Sequence, residues 1–205
     1  MLATLLGVLL LLAGGFVAFW AIAGPSGPPA DAQEIPLAIG TTTPEVNGSP
    51  VAPPMAASIP VRIAIPVIDV NAPVTELGLN ADGTVQVPPL DNHDLAGWYE
   101  GSVTPGADGA AVMLGHVDSW SGGSVFFKIK ELKPGNKVDV IRANGSTAVF
   151  TVDGLQKAAK VAFPTSQVYG SPGYPALRLI TCGGPFDAAT GSYLDNIIVY
   201  AHLTG

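Results

Sequence analysis

Two residues in this chain have the chemistry and the context for covalent catalysis, Cys182 and His116. Cys182 is the only cysteine in the 205 residues. It ends the apolar run ALRLITC (176–182) and is followed by Gly183-Gly184. A thiol attacks a carbonyl as its thiolate, and it reaches that state with a base or a cation beside it. His116 closes a second apolar run, in GAAVMLGHV (109–117), immediately after Gly115. Imidazole exchanges a proton near neutral pH and so serves as base and as acid. Each residue also has a plainer reading: a free cysteine is frequently a small buried hydrophobe, and a single histidine frequently sits at the surface or caps a loop. Together they make a minimal nucleophile–base pair, whose closeness in space the sequence leaves open. His93, in the polar stretch PLDNHDLAGWY, and His202, near the chain end, lack a comparable strand-end context.

Other residues near the pair have two readings each. Gly183 and Gly184 let a ligand approach the backbone closely, and their N–H groups are candidate donors to an oxyanion. Asp118 and Asp187 either orient His116 or cap turns, the commoner role of a loop Asp. Trp98 and Trp120 either line a substrate groove or pack in the core or at its rim. The chain has no C-x-x-C, no H-x-x-x-H, no phosphate loop and no dinucleotide fingerprint, so neither a metal nor a cofactor is expected. One cysteine also excludes an intrachain disulfide framework.

The elements that must position these residues read as strands. With 25 Gly, 19 Pro and only 12% charged residues, the composition suits a turn-rich β fold better than a helical bundle. A net charge of -7 argues against nucleic acid as a partner. VRIAIPVIDVNAPV (61–74) predicts edge strands with bends at its prolines. LGLNADGTVQVP (78–88), with Asp82-Gly83 between apolar runs, predicts a hairpin. GAAVMLGHV predicts a buried strand, and FFKIKEL (126–132) a strand or a short turn. Residues 133–159 predict two strands about an Asn144-Gly145 turn. ALRLITC and YLDNIIVYAHL (193–203) complete about seven or eight strands, enough for a closed or nearly closed barrel.

Before the strands stand two segments of different composition. Leu2–Ala23 carries no charge over 22 residues, enough to span a bilayer as a helix, with Phe19-Trp20 placed for an interface. The competing reading is a cleaved signal peptide ending at AIA (21–23), against which the apolar run is long. No Lys or Arg precedes Arg62, so the positive-inside rule assigns no orientation. Residues 24–58, with GPSGPP and SPVAPP, read as a Pro/Gly/Ser-rich tether. The organisation expected is therefore an anchor or signal at 1–23, a linker at 24–58 and a catalytic domain at 59–205. Residues 2–23 would contact membrane lipid, placing a single-pass protein in the cell membrane with its domain extracytoplasmic.

LGHVDS, LITCGGPFD and GSYLDNIIVYA resemble the sortases, especially the actinobacterial class F group. The resemblance covers about residues 59–203 and includes the anchor–linker–barrel layout. It implies an all-β, eight-stranded barrel with short helical turns. It also implies a cysteine transpeptidase (hydrolase class), whose partners are secreted proteins with a C-terminal sorting signal and an amine acceptor such as a cell-wall peptide. Cys182 would be the nucleophile that holds the acyl group as a thioester. His116 would protonate the leaving amine and deprotonate the incoming one. The family's third residue, an Arg on the strand after the cysteine, has no counterpart. Its usual position falls on Asn196, class F relatives often carry Arg where Leu194 stands, and no Lys or Arg follows Arg178. Asn196, Arg178 or the Gly183 N–H are the candidate replacements for oxyanion or substrate contact. The alternative is a weak or inactive surface-tethered β-barrel binding domain.

Overall fold

The computed structural model describes Val46 and residues 50–205. The apolar segment at 2–23 and most of the expected linker lie outside the described residues. Eight strands close a barrel in the order β1-β2-β3-β4-β9-β10-β8-β7. They are β1 (Pro60–Ile65), β2 (Val70–Leu77), β3 (Ala96–Tyr99), β4 (Gly109–Leu114), β7 (Lys137–Arg142), β8 (Thr147–Ala159), β9 (Pro175–Asp187) and β10 (Ser192–Leu203). The β2–β3 and β4–β9 pairs are parallel and the rest antiparallel. Between β4 and β7, β5 (Asp118–Ser119) and β6 (Gly122–Gly123) form a small separate hairpin. Apart from 3-10 turns, the helix among the described residues is α1 (Thr165–Tyr169).

The all-β barrel expected from the strand pattern is the fold observed, with local differences. The 61–74 segment is not at an edge: β1 pairs with both β2 and β7, because closure removes free edges. Of its two inner prolines, Pro66 starts a 3-10 turn between β1 and β2, where a fixed φ and a missing N–H cost nothing, and Pro73 lies within β2 opposite Arg62. The hairpin expected at 78–88 is reduced to a single bridge, Leu79 with Val85, around the Asp82-Gly83 turn. The FFKIKEL segment contributes a 3-10 turn at Ile129–Glu131.

The barrel interior is filled by Ile63, Ile65, Ala111, Met113, Phe126, Val138, Phe150, Leu177, Leu179 and Val199, all essentially inaccessible. A second cluster lies on the other face of β4, β9, β10 and β8: Val112, Ile180, Ile198, Tyr200 and Ala158, covered by Val168 of α1 and by Phe163. Strands buried on both faces read as continuous apolar runs rather than as an alternation. That is why GAAVML and ALRLIT have no period of two, and the residues of β9 sort by parity. Leu177, Leu179 and Thr181 point inward. Arg178, Ile180 and Cys182 point outward, on the face that the β8–β9 connection partly covers.

Residues 50–58 share the linker's composition but lie against the barrel. The Ala52 N–H donates to the Leu203 carbonyl at 2.8 Å, and the Met55 N–H to the Gly106 carbonyl at 2.8 Å. The Arg142 guanidinium donates to the Ala56 carbonyl at 2.8 Å. This strap attaches at the end of β10 opposite Asn196, about 23 Å away at roughly 3.3 Å per residue.

Candidate active site

The parallel β4–β9 pairing directs the chain segments that carry His116 and Cys182 toward the same end of the barrel. In the β4–β9 register, Leu114 sits opposite Ile180, and the Gly115 N–H continues the ladder to the Ile180 carbonyl at 3.1 Å. Two residues further along each chain stand His116, past the last ladder pair, and Cys182, within β9. The His116 backbone is held from the far side by the Phe126 N–H, which donates to the His116 carbonyl at 3.0 Å. Gly115 permits this path. A Cβ there would stand 2.5 Å from the Phe126 ring and 2.6 Å from Val125.

The His116 imidazole has a defined orientation. Its Nε2 lies 2.6 Å from the Pro88 carbonyl in the β2–β3 loop. A carbonyl only accepts, so Nε2 carries a proton in both the neutral and the charged imidazole. Nδ1 is thus the nitrogen left to exchange a proton. The sequence carries no visible mark of this partner, because a backbone acceptor 28 positions away leaves no motif.

Cys182 is half-buried, and the chain does not leave the sheet after it. The expected loop GGPFD is a continuation of β9, paired to β10 around a bulge. Tyr193 faces Phe186 and Asp195 faces Gly183, so Gly184 and Pro185 together oppose the single Leu194. Gly184 takes φ +72°, the left-handed conformation that starts this kind of bulge. A Cβ on Gly184 would come within 2.1 Å of Asp195 Oδ2, and one on Gly183 within 2.7 Å of Ile197. Both glycines are therefore required by packing, whatever their N–H groups do.

Asn196 sits directly opposite Cys182 in the β9–β10 ladder, and opposite Ala158 on its other side. Directly paired residues bring their Cβ atoms to about 4.5–5.5 Å on one face, so the Asn196 amide flanks the thiol with only a small side chain beyond it. Arg178 lies one step past Ile180 on the same face, about 13 Å along the strand from Cys182. Arg178 is only 4% exposed. It donates to the Gln167 carbonyl at 3.3 Å and the Leu177 carbonyl at 3.2 Å, and it lies over the Tyr200 ring at 4.7 Å. Burial pulls its pKa below the usual arginine value, while Tyr174, Tyr200 and Asp153 favour the charge. These contacts tie Arg178 to the α1 segment. Carrying the β8–β10 register one residue past Ala159–Asp195 puts Lys160 opposite Leu194, with its Nζ donating to Ser192 Oγ at 2.8 Å. Leu194 itself is half exposed.

The remaining candidates separate clearly. Asp187 accepts from the Ala189 N–H and the Thr190 hydroxyl and caps the β9–β10 turn. Asp118 instead accepts a hydrogen bond from the Tyr193 hydroxyl across the site. Burial, then Asp118 and then Cys182, raise the Tyr193 pKa well above the usual phenol value. Tyr193 also stacks edge-on against Phe186 at 5.2 Å. The sequence reading missed Tyr193, since a tyrosine in an alternating strand carries no signal of its own. Trp98 is core, 4% exposed, with its indole N–H on the Val103 carbonyl. Trp120, in the turn between β5 and β6, is 80% exposed. His93 bonds Ser121 Oγ at 2.8 Å, and His202 is buried against Asp153 at 2.6 Å. Among the described residues no group of His, Cys, Asp and Glu is arranged to hold a metal ion.

Cys182 stands within β9 with Asn196 across the ladder, and His116 stands two residues past the end of β4, the strand that pairs parallel with β9. The Sortase domain family profile matches residues 63–204, most of the chain. The chain belongs to the sortase family. Solved sortases share its fold. Sortase A from Corynebacterium diphtheriae (a lid mutant) is 20% identical with a TM-score of 0.56, over 74% of this chain and 73% of that one. Sortase C-1 from Actinomyces oris is 23% identical with a TM-score of 0.55, over 70% and 73%. A sortase D5 transpeptidase from Clostridium perfringens is 19% identical with a TM-score of 0.53, over 72% and 79%. No curated protein matches this sortase in sequence. Family membership supports a cysteine transpeptidase. Sortases in general act on sorting signals and pass them to amines of the cell wall.

Proposed function

We propose that this protein is a membrane-anchored transpeptidase of the class F type, which cleaves a C-terminal sorting signal through a Cys182 thioester and transfers the acyl part to an amine. The observation that supports the reading is the parallel β4–β9 register, whose last pair, Leu114 with Ile180, lies two residues before His116 and Cys182. In the first half-reaction Cys182 Sγ attacks the scissile carbonyl carbon and a C–S bond forms. The Asn196 amide donates to the oxyanion. Nδ1 of His116 gives its proton to the leaving amine as the C–N bond breaks. In the second half-reaction the acceptor amine attacks the thioester and Nδ1 takes its proton. The C–S bond then breaks and the thiolate is restored. Asn196 is favoured over Arg178 because it lies across the ladder from the thiol, whereas the guanidinium is committed elsewhere. The class F reading is supported by CGGPFD and Y-x-D-N. The anchor reading rests on the uncharged run at 2–23, followed by a strap that joins the barrel at the end away from Cys182.

The second reading, a tethered barrel with little or no activity, is favoured by the absence of any Lys or Arg after Arg178. One experiment separates them. The wild-type domain is mixed with a library of internally quenched peptides and a free amine acceptor, and products are read by mass. A peptide–amine conjugate that disappears in Cys182→Ala supports the transpeptidase. No cleavage of any peptide, with the domain folded, supports the inactive barrel.

A further inference from the structure

The segment that carries His116 leaves the barrel ladder after Gly115, whose N–H makes the last bond to β9, and must be held in place by other means. On one side the β2–β3 loop holds it, through the Pro88 carbonyl on His116 Nε2 and through His93 on Ser121 Oγ. On the other side Asp118, two residues past His116, accepts the hydroxyl of Tyr193, three residues before Asn196 and 75 positions away in the chain. The two ends of this contact belong to the two halves of the site. Asp118 opens β5, directly after His116. Tyr193 stands in the hairpin that carries Cys182 on one strand and Asn196 on the other. The ring is fixed independently, edge-on to Phe186 at 5.2 Å. The hydroxyl thus has one placement, and it meets a carboxylate, the stronger kind of acceptor. Burial, with the carboxylate beside it, keeps this hydroxyl protonated and able to donate.

We infer that Asp118 and Tyr193 are a positioning pair: a latch across the mouth of the site that sets the separation of His116 from Cys182 for acyl transfer. The inference rests on the transpeptidase reading above. Its consequence is selective. Misplacing His116 slows a reaction whose leaving group must be protonated, because proton transfer needs the acid within hydrogen-bond reach. It spares a reaction whose leaving group departs as a stable anion.

The test compares the two reactions in the folded domain. Tyr193→Phe removes only the hydroxyl and keeps the ring on Phe186. Asp118→Ala removes the acceptor, and Asp118→Asn keeps an acceptor oxygen. The probes are a peptide cleaved by the wild type and p-nitrophenyl acetate, the latter at about pH 9, above the ordinary thiol range. The expected result is a fall in kcat for the peptide of about tenfold in Tyr193→Phe and in Asp118→Ala, with KM within twofold. The double variant should lose no more than either single change, Asp118→Asn should recover part of the loss, and acylation by the ester should stay within twofold. Equal losses on both probes, or losses that add in the double variant, would overturn the latch. Hydrogen exchange supplies a readout independent of turnover. Residues 115–123 should exchange faster in Tyr193→Phe than in wild type, and unchanged exchange would also overturn it. If the wild type cleaves no peptide, the transpeptidase reading has failed instead, and the exchange result still decides whether the latch exists.

Discussion

At the scale of single residues, Asn196 and Arg178 point to different experiments. Asn196 faces the thiol across one ladder step, so Asn196→Ala should lower peptide turnover by about 10²–10³, the usual loss for one oxyanion donor. Folding should be intact by circular dichroism. Arg178 is buried among the Gln167 and Leu177 carbonyls and the Tyr200 ring. Arg178→Ala should therefore destabilise by about 2–4 kcal/mol in urea unfolding, with little change in kcat for the protein that remains folded. The reverse pattern would reassign the oxyanion contact to Arg178. Tyr193 has a pH signature of its own. A phenol held protonated in the folded state contributes stability that is complete below the unfolded value of about 10 and is lost as pH rises above it. In an ultraviolet titration, Tyr193→Phe should remove a late-titrating tyrosine and leave the early ones. Cys182 and His116 stand out in the sequence as candidates because each ends an apolar run. Tyr193 and the Pro88 carbonyl were not, because their partners lie 75 and 28 positions away and neither contact leaves a local pattern.

At the scale of elements, the bulge after Cys182 was the least legible feature. Gly-Gly-Pro reads as a loop, since two glycines and a proline break ladders in isolation. Here they form the wide side of a bulge within a strand that continues to Asp187. The bulge bends the hairpin and sets where Tyr193 and Asn196 lie relative to the thiol. Gly184→Ala places a side chain at φ +72° and against Asp195. It should cost about 1–3 kcal/mol in chemical denaturation and slow turnover more than Asn144→Ala, a change in a turn far from the site. The strap at 50–58 was also hidden by its composition, because its attachment uses backbone groups, the Ser58 hydroxyl and the small apolar contacts of Ala52 and Met55. A domain beginning at Ile59 should fold but melt about 3–8 °C below one beginning at Pro50, the shift that roughly 1–2 kcal/mol produces in a domain of this size. Equal melting temperatures would show that the strap adds nothing.

At the scale of the whole molecule, the barrel was legible from strand count, turn signals and the scarcity of helix. The face that holds the site was not. GAAVML and ALRLIT are apolar throughout, so periodicity could not say which residues look inward. The parallel β4–β9 pairing joins segments more than sixty positions apart and is set by the order of strands around the closed sheet. That pairing directs the segments carrying His116 and Cys182 to the same end of the barrel. An acyl-thioester on Cys182 is the intermediate on which the proposed reaction depends, and intact mass under thioester-preserving conditions detects it. After mixing with a cleavable peptide, the wild-type domain should gain the mass of the acyl fragment, localised to the peptide containing Cys182 and released by an added amine. His116→Ala should accumulate it far more slowly, and Cys182→Ala should show none. A wild-type domain that cleaves peptide without gaining mass, or that carries the fragment at another residue, would exclude Cys182 as the acyl carrier.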